Sequence, residues 1–170
     1  MSQFEALIDA NTRYVAMGRL PAVKGEAFFS QGSPGSPTPG LAIVTCMDRR
    51  LDPIRALDVE GKAAIIRNAG GVAADALRSL IVFQALTGGK DILIMHHTDC
   101  GLLRVSPRTI RASRHVPSGM DFHEFDDVES SIRRDVLWLK ERVQEGALLE
   151  GTNVTGWLYE TGTGQIRLIE

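Results

Sequence analysis

Apolar and polar positions along this chain alternate in short blocks, with no single sustained period. Residues 2–18 place Phe4, Leu7, Ile8, Tyr14 and Val15 in an uneven apolar stripe, which predicts a helix. Residues 30–40 are dominated by Gly, Pro and Ser; they can continue neither helix nor strand and predict a flexible loop. Beyond it the apolar runs shorten and alternate with helical spacing. Residues 41–46 predict a first strand, 53–57 a short helix with proline in its first turn, and 63–67 a second strand. Residues 73–87 predict a strongly apolar helix closed by Gly88-Gly89, and 91–96 a third strand. After a polar, irregular stretch, Asp126 and Glu129 open a long helix in capping-box-like order. Val128, Ile132, Val136, Leu139 and Val143 give that helix one apolar face. Residues 154–160 and 165–168, joined by a turn at Gly162-Thr163-Gly164, predict closing strands.

Strand runs bounded by helices define an α/β fold, a mainly parallel central β-sheet flanked by helices on both faces. We expect one domain over 1–170: an N-terminal helical arm (1–29), the loop (30–40) and the α/β body (41–170). An arm with little of its own domain to pack on is expected to lie across a partner subunit. The 44% apolar fraction describes a globular protein, and a formal charge of −2 gives no footprint for nucleic acid or an anionic membrane. No apolar stretch approaches the roughly 20 residues of a spanning helix. Glu5 and Asp9 interrupt what a signal peptide would keep apolar, so a cytoplasmic location is expected. In that setting Asn153-Val154-Thr155 carries no meaning as a glycosylation sequon.

The candidate chemistry sits in two segments that hold both cysteines, Cys46-Met47-Asp48-Arg49-Arg50 and His97-Thr98-Asp99-Cys100. Each follows a predicted strand, at the carboxyl end where α/β sheets gather their chemistry. Two sulfurs and one ring nitrogen are soft and borderline ligands suited to Zn²⁺, with a fourth position left for water or a carboxylate. Cys46, His97 and Cys100 are therefore the expected zinc ligands. His96 is the competing nitrogen, because strand alternation lets only one of the two neighbours face the site. Two thiolates cancel the charge of the ion, so a bound water is acidified less than by three imidazoles and needs a helper. Asp48 fits that role; alternatively it takes the fourth position itself and closes the site. Arg50 would choose between the two, since a forked pair with Asp48 keeps the carboxylate off the metal. Arg49 is expected to face solvent, and Asp99 to lie behind the ligands or simply to be solvated. Asp75 and Arg78 fit a helix start and a salt bridge. The glycines of Arg67-Asn68-Ala69-Gly70-Gly71 let the backbone pass close to the site.

Cys-x-Asp-x-Arg, then Arg-Asn-Ala-Gly-Gly, then His-x-x-Cys-Gly, in this order, resembles the β-class carbonic anhydrases, closely over residues 41–101 and loosely thereafter. The resemblance implies a Cys₂His zinc, an Asp48–Arg50 dyad that gates or orients a zinc-bound hydroxide, and a dimer formed through N-terminal arms. It implies hydration of CO₂ to bicarbonate. The chain is short for the family and is also similar to the compact carbonyl sulfide and carbon disulfide hydrolases. CO₂, COS and CS₂ are all linear and attacked at carbon, so these motifs do not separate them. We expect a homodimer or a dimer of dimers. The apolar helix over 73–87 is expected to pack behind the site and add to a greasy approach. The rival from another class is a non-catalytic zinc or redox thiol protein, in which Cys46 and Cys100 form a clip.

Overall fold

The computed structural model describes residues 3–18, 40–113 and 115–169, and it holds a single five-stranded sheet. Strands β1 (Leu41–Cys46), β2 (Ala63–Asn68), β3 (Asp91–His97), β4 (Asn153–Tyr159) and β5 (Ile166–Ile169) stand in the order β2-β1-β3-β4-β5. The first four are parallel and β5 runs antiparallel to β4. The helices are α1 (Gln3–Ala16), α2 (Pro53–Ala56), α3 (Ala73–Thr87), α4 (Pro107–Ser113) and α5 (Val128–Gln144). The expected α/β architecture holds, with α3 matching at both ends and the strands differing by a residue or so. All of the loop expected over 30–40 except Gly40 lies outside the described residues, as does the 19–29 part of the arm.

Crossover handedness explains the layering. The steps β2→β3 and β3→β4 run the same way across the sheet, so right-handed connections put α3 and α5 on one face. The step β1→β2 runs the other way and sends only the four-residue α2 to the opposite face. Ala42, Val44, Ile92, Ile94 and Val154 accordingly point at α3 and α5, where they join Leu80 and Leu139 in the main core. Ile43 and Met95, of the alternate register, are buried as well, but Ile65, Leu93 and Trp157 on that second face stay partly exposed. Among the described residues the expected cover on both faces is thus lopsided.

Capping and close packing fix the helices. Gly88 ends α3 in the left-handed conformation, its N–H donating to the Gln84 carbonyl at 2.8 Å. Val72 offers no side-chain cap at the start of α3; the buried Asp135 of α5 instead accepts the Ala73 N–H at 2.8 Å. The start of α5 lies one residue later than expected. Asp127, extended at φ −133°, is its cap and accepts from the Ser130 N–H at 2.7 Å, while Asp126 stays exposed. Ile132 and Leu139 of its apolar face are fully buried, and Val128, Val136 and Val143 partly so. Asp75 lies in the first turn of α3, as expected of a helix start, and stands 3.9 Å from His123. The stretch read as irregular holds a 3₁₀ turn at Gly101–Leu103 and helix α4. With Ile110 its only large apolar residue, α4 shows no periodicity; Pro107 and the Ser106 hydroxyl oxygen, which accepts from the Thr109 N–H (3.2 Å), start it.

In β4, Gly156 lies directly under α5, and a Cβ there would come within 2.4 Å of Ile132 Cγ2. Gly156→Ala should therefore destabilise the fold by about 1–3 kcal/mol through overpacking, measured by urea denaturation.

Candidate metal centre

The strand order reverses between β1 and β3, and the carboxyl ends flanking such a switch point leave a crevice. Cys46 ends β1, His97 ends β3, and Cys100 follows one turn later. The three side chains are buried, and their donor atoms all lie within 4.8 Å of one another. The backbone between His97 and Cys100 folds back through Asp99, which sits in the left-handed region at φ 57°, a conformation Asp tolerates better than most residues.

Hydrogen bonding shows how these atoms are poised. His97 Nδ1 stands 2.8 Å from the Thr98 carbonyl, which can only accept, so Nδ1 carries the hydrogen. Nε2 is left with its lone pair, buried and without a partner, as a metal-binding imidazole requires. His96 turns the other way, toward the Gly71 carbonyl (3.2 Å) and Asp135 (3.3 Å), and stacks on Phe125. The expected choice of His97 over His96 is what the geometry displays. The Cys100 thiol hydrogen-bonds Cys46 and holds the Cys46 pKa down against burial. That same contact and burial push Cys100 up. An arriving cation would displace the shared proton. Two sulfurs, one free imidazole nitrogen and low accessibility fit a divalent borderline ion such as zinc.

Asp48 and Arg50 stand beside this cluster. Arg50 Nε donates to Asp48 Oδ1 (3.0 Å) and Nη2 to Oδ2 (2.7 Å), while the Arg50 backbone N–H also reaches Oδ1 (2.9 Å). These bonds hold Asp48 well below the usual carboxylate range and raise Arg50. Asp48 Oδ2 lies 4.0 Å from His97 Nε2, close to the donor set yet turned toward the guanidinium. Arg49 is exposed, as expected.

Several supporting residues went unassigned from sequence. Arg67 straps the loop after β1, donating from Nε to the Cys46 carbonyl (3.0 Å) and from Nη2 to the Asp48 carbonyl (2.6 Å). Asn68 closes the glycine turn: its amide donates to the Val72 carbonyl (2.8 Å) and its oxygen accepts the Val72 N–H (2.7 Å). An amide four residues ahead of its partner, with two glycines between, was the available signal. The apolar wall beside the cysteines comes from Leu51 and Phe125, with Leu102, Val128 and Tyr159 packed against them. Among the described residues α3 adds nothing to this wall, contrary to expectation: Ala76, Leu80 and Phe83 join the main core, while Ile81, Val82 and Leu86 are exposed. Phe125 lies in a stretch without periodicity, and nothing in its surroundings marked it.

A buried Cys₂His donor set at the switch point of a parallel sheet, with an acid–arginine pair alongside, is the kind of arrangement α/β metalloenzymes use. No family model matches the chain. It is 33% identical over 145 residues to β-carbonic anhydrase 1 of Mycobacterium tuberculosis, covering 81% of this chain and 86% of the relative. A carbonic anhydrase from Glaciozyma antarctica superposes with a TM-score of 0.74 at 37% identity, over the full length of both chains. A carbon disulfide hydrolase of Acidithiobacillus thiooxidans is similar at 27% identity over 153 residues, 75% of each chain. The chain belongs to the β-carbonic anhydrase family.

Gly71, at φ 78°, passes so close to β1 that a Cβ would lie 2.9 Å from the Cys46 backbone nitrogen. Gly71→Ala should cost at least about 2 kcal/mol of stability from the backbone strain alone and loosen the cluster. Thermal melting and zinc stoichiometry measured on the same sample check both effects.

Proposed function

We propose that this protein hydrates CO₂ to bicarbonate with zinc held by Cys46, His97 and Cys100. The single observation that carries the ligand set is the buried, partnerless Nε2 of His97 facing two thiols within 4.8 Å. When bound, zinc supplies the Lewis acidity that ionises a water near neutral pH. The protein's own part is positional. Asp48 would accept a hydrogen bond from a nucleophile held there and fix its direction, its carboxylate favoured in the ionised form by the bonds from Arg50. The same pair keeps Asp48 out of the fourth ligand position; rotation of Asp48 away from Arg50 would close the site. Leu51, Phe125 and Leu102 supply an apolar approach suited to an uncharged linear molecule.

The reading against a redox clip is supported by the 33% identity to a β-carbonic anhydrase and by the Asp48–Arg50 pair, which a thiol clip does not need. Both cysteines are unpaired, in keeping with a reducing, cytoplasmic setting. Among the described residues no helix is long and apolar enough to cross a membrane.

Assembly follows from what the fold leaves uncovered. No residue of α1 is buried, and Phe4 is 77% exposed on its apolar stripe. The second face of the sheet is incompletely covered, and a groove of about 460 Å³ between α5 and β4–β5 is lined by Val136, Leu137 and Leu168. These surfaces support a homodimer, or a dimer of dimers, in which the arm of one copy lies on the other. Light scattering at micromolar concentration should give at least the dimer mass, and removal of residues 1–18 should lower it.

Asp48→Asn should retain stoichiometric zinc and lose about 100-fold or more in turnover, whereas Cys100→Ser should lose the metal. Stopped-flow CO₂ hydration, run beside H₂S release from COS and from CS₂, tests the substrate. Negligible hydration with brisk H₂S release would overturn the CO₂ assignment and favour the hydrolase activity named for the Acidithiobacillus relative.

A further inference from the structure

The Asp48–Arg50 pair is not self-contained. Arg50 is 43% exposed, and an ion pair in contact with water does not by itself hold a long side chain in one geometry. Asp99 supplies what is missing. Its carboxylate Oδ2 accepts from Arg50 Nη1 at 2.8 Å, and its backbone carbonyl accepts from Nη2 at 2.9 Å. Together with Asp48 this occupies four of the five guanidinium N–H donors. Both contacts come from one residue because the left-handed backbone at Asp99, φ 57°, turns carbonyl and side chain toward the same guanidinium. Arg104, from the turn after Cys100, pairs with the other oxygen of Asp99, so two acids are balanced by two arginines.

We propose that Asp99 is a positioning residue that clamps Arg50 against Asp48 and thereby keeps Asp48 from taking the fourth ligand position. The inference rests on the zinc-hydration reading above. Asp99 itself touches neither substrate nor metal. It lies between two ligands in sequence, so formation of the His97–Cys100 turn and placement of the clamp are one folding event. Without the clamp, the Arg50 fork is free to rotate into solvent and Asp48 is released toward the donor cluster only 4.0 Å away.

The test uses the zinc-loaded protein and azide as a probe of the free coordination position. Asp99→Asn keeps a residue that tolerates the left-handed backbone, and Asp99→Gly removes the side chain while relaxing that backbone. Both should retain stoichiometric zinc and a near-native melting temperature. Both should bind azide at least about tenfold more weakly by calorimetry, because Asp48 competes for the position, and lose kcat in parallel. Arg104→Gln, which removes only the outer brace, should show a smaller shift of the same sign. In the metal-free protein, the Arg50 Nε proton should be protected from exchange in the wild type and lose that protection in Asp99→Gly. Wild-type azide affinity and proton protection in both Asp99 variants would overturn the clamp. Absence of zinc or of CO₂ hydration in the wild-type protein would instead remove the reading on which it rests.

Discussion

The rest of the structure depends on one constraint: β1 and β3 are adjacent and parallel, yet the chain leaves them in opposite directions. A connection from β1 departs to one edge of the sheet and everything after β3 builds toward the other. The two carboxyl ends are therefore left uncrossed by a helix, and the short turns after them reach into the crevice. Cys46, Asp48 and Arg50 ride on one of these turns and His97, Asp99 and Cys100 on the other. The donor cluster, the acid and its arginine are brought together by sheet topology, and residues 50 positions apart become neighbours without any long loop.

Around that crevice the protein uses polar side chains as fasteners where backbone pairing has run out. Arg67 holds the carbonyls of Cys46 and Asp48, Asn68 locks the turn that brings Gly71 against β1, and Asp135 serves α3 from across the interior. His96, adjacent in sequence to a ligand, belongs to this second set, linking the Gly71 carbonyl to Asp135. Neighbouring imidazoles thus have separate tasks because the strand sends them to opposite sides.

Much of this was legible in the amino-acid sequence, for identifiable reasons. The strands and α3 are written in apolar runs closed by glycine, and the ligand trio in residue types that only metal chemistry brings together at such spacing. The lopsided layering was not, since it follows from strand order, which no local pattern encodes. Helix α4 escaped because Ile110 alone cannot mark a face. Asp127 displaced Asp126 as the α5 cap although only Asp126 has Glu129 at capping-box spacing; the backbone is extended at 127, and its carboxylate reaches the Ser130 N–H. Phe125 and Leu51 were invisible as site residues because their role is set by tertiary contact. Asp99 could be placed beside the ligands from sequence, but its second bond to Arg50 depends on a left-handed backbone that its side chain permits without requiring.

The hydrogen bond from His97 Nδ1 to the very next carbonyl has a thermodynamic consequence. It commits the ring to one tautomer and turns the Nε2 lone pair toward the two buried thiols. Coordination at Nε2 therefore needs no change of tautomer, and only the thiol hydrogens have to leave when an ion binds. An ion held by Cys46, His97 and Cys100 would tie the ends of β1 and β3 together and add its binding free energy to folding, so the supply of metal would set how much folded protein persists.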